Sequence, residues 1–118
     1  MLYSDAFKNP TDGTGYTVCD ANGKPLQRVV FRRYASINEA EMLGILAAAR
    51  LAQLGQEVIT DSRCVITWLR KRSAFRRPKY QPSIDEILSL VDQKRLVIRW
   101  QPRDHNKAGK FNEKYVDN

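Results

Sequence analysis

A chain of 118 residues, 42% of them apolar, can build one hydrophobic core, leaves little room for a second domain, and is too apolar to stay disordered. It contains no run of about eighteen apolar residues that would span a membrane, and the opening Met1-Leu2-Tyr3-Ser4-Asp5 lacks the charged and apolar regions of an export signal. With 20 basic against 13 acidic residues the net charge is +7, a field that gathers polyanions.

Residues 2–8 predict a short strand, and Asn9 to Gly15 a turn-rich connection. Residues 16–20 and 26–33 are rich in β-branched and aromatic side chains. Asn22-Gly23 between them is a strong hairpin signal, so the first third predicts an antiparallel meander of three strands. Cys19 in this stretch and Cys64 beyond it are too few for a disulfide framework and lack zinc-ligand spacing. Both read as small buried hydrophobes in a reducing, cytoplasmic compartment. Ser36 stands where an N-cap belongs, with Glu39 three residues on as in a capping box. Met42, Leu43, Ile45, Leu46, Ala49 and Ala52 then recur at helical spacing, and the helix is expected to run to Leu54, with Gly55 as its stop. Residues 57–60 predict a strand ending at Asp61, and Ser62 to Arg70 a helix with Val65, Ile66 and Leu69 on one face.

Residues 70–79 carry six positive charges, no negative charge and one aromatic ring. Pro82-Ser83 opens a further amphipathic helix with Ile84, Ile87, Leu88 and Val91. Residues 96–100 predict a last strand, and a weak helical pattern of Ala108, Phe111 and Tyr115 fills the tail. The order is β-β-β-α-β-α-α-β-α. It predicts a single α/β domain over residues 1–118 with a five-stranded mixed sheet: three antiparallel strands, then parallel additions, flanked by helices.

Three acids stand out. Asp5 is a lone carboxylate in an apolar first strand, where an unpaired acid is costly. Asp61 ends the fourth strand, and Glu41 lies early in the first helix beside Glu39. Ligands collect at the carboxyl ends of parallel strands, and three acids meeting there repel one another unless a cation lies between them. Oxygen-only donors suit Mg²⁺ or Mn²⁺, and two such ions can stabilise the attacking and leaving oxygens of a phosphodiester displacement. The alternative is ordinary: Asp61 caps the helix that follows it, and Glu41 answers the helix dipole.

In element order and acid placement the chain resembles the type 1 ribonuclease H family over nearly its whole length. The matching stretches are Tyr3-Ser4-Asp5-Ala6, Ser36-Ile37-Asn38-Glu39-Ala40-Glu41-Met42 and Thr60-Asp61-Ser62. The resemblance implies a ribonuclease H-like fold and a divalent-metal endonuclease cutting the RNA strand of RNA–DNA hybrids, leaving 5′-phosphate and 3′-hydroxyl ends. It implies Asp5, Glu41 and Asp61 as ligands of two Mg²⁺ or Mn²⁺ ions, in a monomer with no small-molecule cofactor. Asn38 matches an Asn that in relatives contacts the hybrid near its ribose 2′-hydroxyls. The stretch from Trp68 to Lys79 is similar to a basic extension that grips the DNA strand, which makes Arg70, Lys71, Arg72, Arg76, Arg77 and Lys79 candidate nucleic-acid contacts.

The chain departs from the family at its end. One branch places a fourth acid in a His-Asn-x-x-Ala-Asp pattern, whereas His105-Asn106-Lys107-Ala108-Gly109-Lys110 puts a lysine there. Glu113, one turn on, is the candidate replacement and Asp117 the alternative, and the single histidine, His105, is given no catalytic role. Lys110 keeps open a binding module that has lost the chemistry. A resolvase or exonuclease on the same fold is the other rival, since fold does not fix substrate.

Overall fold

The computed structural model describes residues 1–11 and 13–117, with the side chains of residues 115–117 left out. The strands are β1 (Leu2–Asn9), β2 (Gly13–Cys19), β3 (Pro25–Val30), β4 (Glu57–Thr60) and β5 (Val97–Trp100). The helices are α1 (Ile37–Leu51), α2 (Arg63–Lys71), α3 (Gln81–Lys94) and α4 (Lys107–Asp117), with 3₁₀ turns at Pro78–Tyr80 and Arg103–His105. The expected order holds. The sheet runs β3-β2-β1-β4-β5, antiparallel from β1 to β3 and parallel where β4 joins β1 and β5.

The hairpin between β2 and β3 closes as its Asn-Gly pair predicts: the Asp20 carboxylate accepts the N–H groups of Asn22 and Lys24, and Gly23 N–H donates to the Asp20 carbonyl. On one face of the sheet, α1 lays Ala47, Ala48 and Ala49 against Val18 and Val58. A second layer joins Met42 and Ile45 of α1 to Val65 and Trp68 of α2 and Ile84 and Ile87 of α3. Each fully buried Ile or Val here contributes roughly 1.5–3 kcal/mol. A smaller cluster of Tyr3, Cys19, Ile59 and Ala108 fastens α4 to the sheet. Gly44 decides how closely α1 approaches, because a Cβ there would lie 2.5 Å from Ser4 Oγ and 3.0 Å from Tyr16 Cβ.

Two elements end earlier than expected. β3 stops at Val30, since the chain turns so that Arg33 can form a bidentate pair with Glu39 at the start of α1. α1 stops at Leu51, and Ala52 is already extended. The cause lies elsewhere in the sequence: the Lys94 ammonium donates to the carbonyl oxygens of Ala49, Arg50 and Ala52 at 2.8–2.9 Å, satisfying the helix end. Leu54, past that end, is 73% exposed. Of the cysteines, Cys19 is buried, whereas Cys64 is only partly so, packed at the edge of the cluster that joins α1, α2 and α3.

Candidate active site

β1 is the central strand, and its register places the acids. Tyr3 pairs with Ile59 across the parallel β1–β4 ladder, so Asp5 and Asp61 stand two residues beyond that pair on neighbouring strands. On the other side Asp5 pairs with Thr17 of β2. Glu41 reaches the same rim from the second turn of α1, brought down by the close packing at Gly44. One carboxylate oxygen from each of Asp5, Glu41 and Asp61 lies within 4.8 Å of the others. Glu39 does not join them, being engaged with Arg33.

The ordinary readings of these acids fail. Ser62, not Asp61, caps α2, its Oγ accepting the Val65 N–H at 3.2 Å. Asp61 is free to face the cleft, and Trp100 Nε1–H holds its backbone by donating to the Asp61 carbonyl at 3.1 Å. Asp5 is 5% and Glu41 8% exposed. Burial first, then the Asp61 charge, raises the Asp5 carboxyl to about 7. Burial and the charges of Asp5 and Asp61 push Glu41 to about 9, and burial also raises Asp61. Glu41 accepts the backbone N–H of Ala6, yet its Oε2 is buried with no hydrogen-bond partner. Three crowded carboxylates and an orphaned buried oxygen fit a hard divalent cation, which would relieve both the repulsion and the lost hydration.

The acids floor an open cleft of about 820 Å³. Lys8, Asn9 and Ile37 also line it, as do Arg63, Trp100, Arg103, Asn112 and Glu113. The Arg63 guanidinium stacks 4.4 Å over the Trp100 ring. Glu113 reaches the cleft but not the cluster of three: its exposed carboxylate lies 3.7 Å from Arg103 Nε. Lys110 is exposed, and the side chain of Asp117 lies outside the described residues. Asn38 is exposed in the first turn of α1, within a few residues of Glu41.

The roles of two asparagines, one before α4 and one on it, were not seen in the sequence. Asn106 caps that helix by accepting the N–H groups of Ala108 and Gly109, and its Nδ2 donates to the Ser4 carbonyl. Asn112 touches Asp5 itself. The available signal was a polar residue three positions after Gly109 on a helix face otherwise shared with buried Ala108.

The basic stretch is more compact than a free loop. Arg70 and Lys71 finish α2, and Arg72 ends it in the left-handed region at φ 57°. Ala74 is buried, and Tyr80 packs on Trp68 with ring centroids 5.7 Å apart. The Gln81 amide ties the segment down, accepting the Ala74 N–H and donating to the Arg72 carbonyl. Arg70, Lys71, Arg72, Arg76, Arg77 and Lys79 all remain exposed, with the Lys71 ammonium 4.8 Å from the Phe75 ring centre. The helix α2 lies between Asp61 and Arg70, about 13 Å of helix at about 1.5 Å of rise per residue, and the chain then folds back so that Arg77 comes near Cys64 at the start of α2.

A family model described as reverse transcriptase-like matches residues 4–110. No curated protein matches the chain in sequence. Among solved structures, the N-terminal RNase H domain of rv2228c from Mycobacterium tuberculosis is similar at a TM-score of 0.72 and 24% identity, over 98% of this chain and 91% of that one. RNase H1 from the halophilic archaeon Halobacterium salinarum gives 0.69 and 20%, over 99% and 97%. LC11-RNase H1, isolated from compost and solved in complex with an RNA/DNA hybrid, gives 0.65 and 19%, over 98% and 97%. At these identities the likeness establishes the fold, which is that of ribonuclease H.

Proposed function

The chain belongs to the reverse transcriptase-like family and has the ribonuclease H fold, and from that premise we propose that it is a metal-dependent endonuclease cutting the RNA strand of RNA–DNA hybrids. The convergence of Asp5, Glu41 and Asp61 within 4.8 Å carries the reading. These residues would hold Mg²⁺ or Mn²⁺, two ions in the full site. Such ions, once bound, supply the charge that makes water a nucleophile at neutral pH and offsets the charge of the departing 3′-oxygen.

The chain's own groups do the rest. Arg63 and Arg103 set two guanidinium groups in the cleft, placed to orient a phosphodiester against the acids. Trp100 fixes the backbone of Asp61 so that its carboxylate keeps its aim. Asn38 would lie along the minor groove, where hybrids display the 2′-hydroxyls that separate RNA from DNA. The exposed cations from Arg70 to Lys79 would grip backbone phosphates beside the cleft. Glu113, beside Arg103, is the acid on α4 nearest to a catalytic role. The products would be 5′-phosphate and 3′-hydroxyl ends, released by a monomer in the cytoplasm with no small-molecule cofactor.

The test is cleavage of a labelled hybrid with and without Mg²⁺ or Mn²⁺, with Asp61→Asn as control. Equal cutting by both proteins rules out the site. Lys110, exposed on α4 at the fourth acid's expected place, favours a second reading, a hybrid-binding module without turnover. That reading gains if calorimetry finds hybrid binding but no uptake of millimolar Mg²⁺.

A further inference from the structure

The cleft meets α4 through an amide. Asn112 is 5% exposed, and its two ends are engaged by different strands. Thr17 Oγ1–H donates to Asn112 Oδ1 at 2.6 Å, and Asn112 Nδ2 donates to Asp5 Oδ2 at 3.1 Å. The remaining Nδ2 proton points to the Asp5 carbonyl at 3.4 Å. Thr17 and Asp5 are themselves paired across β1 and β2, so one carboxamide bridges a cross-strand pair at the rim of the metal cluster. The Asp5 carboxylate, an acceptor, fixes which end of the amide is which, and the Thr17 hydroxyl holds the amide in place by donating to its oxygen. A flipped amide would present its oxygen to a carboxylate oxygen, two acceptors facing each other. With the amide locked, the Asp5 carboxylate cannot rotate about its Cβ–Cγ bond without losing a buried hydrogen bond.

The approach of α4 leaves little slack. Gly109, one turn before Asn112, lies so close that a Cβ there would sit 3.3 Å from Asp5 Oδ2. Asn106 holds the start of the same helix on the Ser4 carbonyl at 2.9 Å. α4 therefore grips β1 at two successive residues, Ser4 and Asp5, through the amides of Asn106 and Asn112.

We propose that Asn112 is a positioning residue of the metal site, orienting Asp5 for a divalent cation, so that α4 serves the site through a neutral donor. The inference rests on reading Asp5, Glu41 and Asp61 as metal ligands. It differs from the assignment of Glu113, which would add a ligand from the same helix, in placing the contribution one residue earlier and behind Asp5. Partners that orient ligating carboxylates alter affinity without touching the ion.

The test is Mn²⁺ affinity measured by titration calorimetry on the intact chain, beside the melting temperature without metal. Asn112→Leu keeps the size and removes the hydrogen bonds to Thr17 and Asp5, and should weaken Mn²⁺ binding by roughly 10- to 100-fold. Thr17→Val keeps Asn112 but frees its amide to turn, and should weaken binding by a smaller factor. Thr17→Val decides alone if the leucine variant does not fold. A lowered melting temperature with Mn²⁺ affinity unchanged makes Asn112 a packing residue and overturns the proposal. Failure of the wild-type chain to bind Mn²⁺ is a separate result, and it overturns the metal site and this inference together.

Discussion

The acid cleft and the basic stretch from Arg70 to Lys79 are built on opposite plans. In the cleft, like charges are buried, each from a different element, and each fixed by neighbours: Asp5 by Asn112, Glu41 by the Ala6 N–H, Asp61 through Trp100. In the basic stretch the charges are close in sequence and exposed, while Ala74, Tyr80 and Gln81 help to hold the backbone. Buried like charges are expensive to assemble, so the fold must impose their arrangement. Exposed ones cost little, and the sequence can supply them in number. A reactive centre needs geometry and a phosphate grip needs charge, which is why each losing residue should tell in a different measurement.

The sharpest break between the two regions is expected from Asp61→Asn or Glu41→Gln. Each should lower hybrid cleavage by about three orders of magnitude, since several kcal/mol of charge stabilisation is lost at ~1.4 kcal/mol per decade. Hybrid affinity in the absence of metal should hardly change, and a filter-binding assay beside the cleavage assay checks both. The paired change Arg76→Gln, Arg77→Gln should act in reverse. Affinity should fall, the slope of log affinity against log salt should flatten by roughly one unit per lost phosphate contact, and turnover at saturating hybrid should persist. A turnover loss as large as that of Asp61→Asn would abolish the distinction.

pH separates the regions next. Unfolded carboxyls titrate near 4, whereas folded Asp5 and Glu41 stand at about 7 and about 9. Between these values the folded chain keeps protons that the unfolded chain has released, so the stability these two groups contribute without metal is fully present only below about 4 and falls from there. It is lost as pH rises through 7 and then 9. A divalent cation must displace those protons, so the rise in melting temperature on adding Mg²⁺ should grow with pH over the same range. Thermal melts at pH 5, 7 and 9 with Mg²⁺ or with a chelator read this directly. The smallest effect belongs to Ser62→Ala, which removes the cap of α2 next to Asp61. It should cost about 1 kcal/mol of stability in chemical denaturation.

The sequence exposed the acids because each one breaks a local pattern: a carboxylate within apolar β1, another at the end of β4, a third on the buried side of α1. The apolar run of β1 and the capping box at Ser36 then showed which elements carried Asp5 and Glu41. The bonds that tie elements together were not legible. α1 ends at Leu51 because of Lys94, more than forty residues away in the chain, and nothing between Leu51 and Gly55 announces it. Asn112 was hidden for the same reason. Its partners, Asp5 and Thr17, lie at the other end of the sequence, and a helix of weak apolar pattern does not reveal which of its polar residues faces inward.

The two tryptophans divide between the regions. Trp68 is buried against Tyr80 beneath the basic stretch, while Trp100 lines the cleft with its indole N–H on the Asp61 carbonyl and Arg63 across its face. The molecule therefore carries a native fluorophore in the acid cleft and a shielded one beneath the basic stretch. With Trp68 replaced by Phe, emission from a single indole should follow ions and nucleotides entering the cleft in real time, without any label attached.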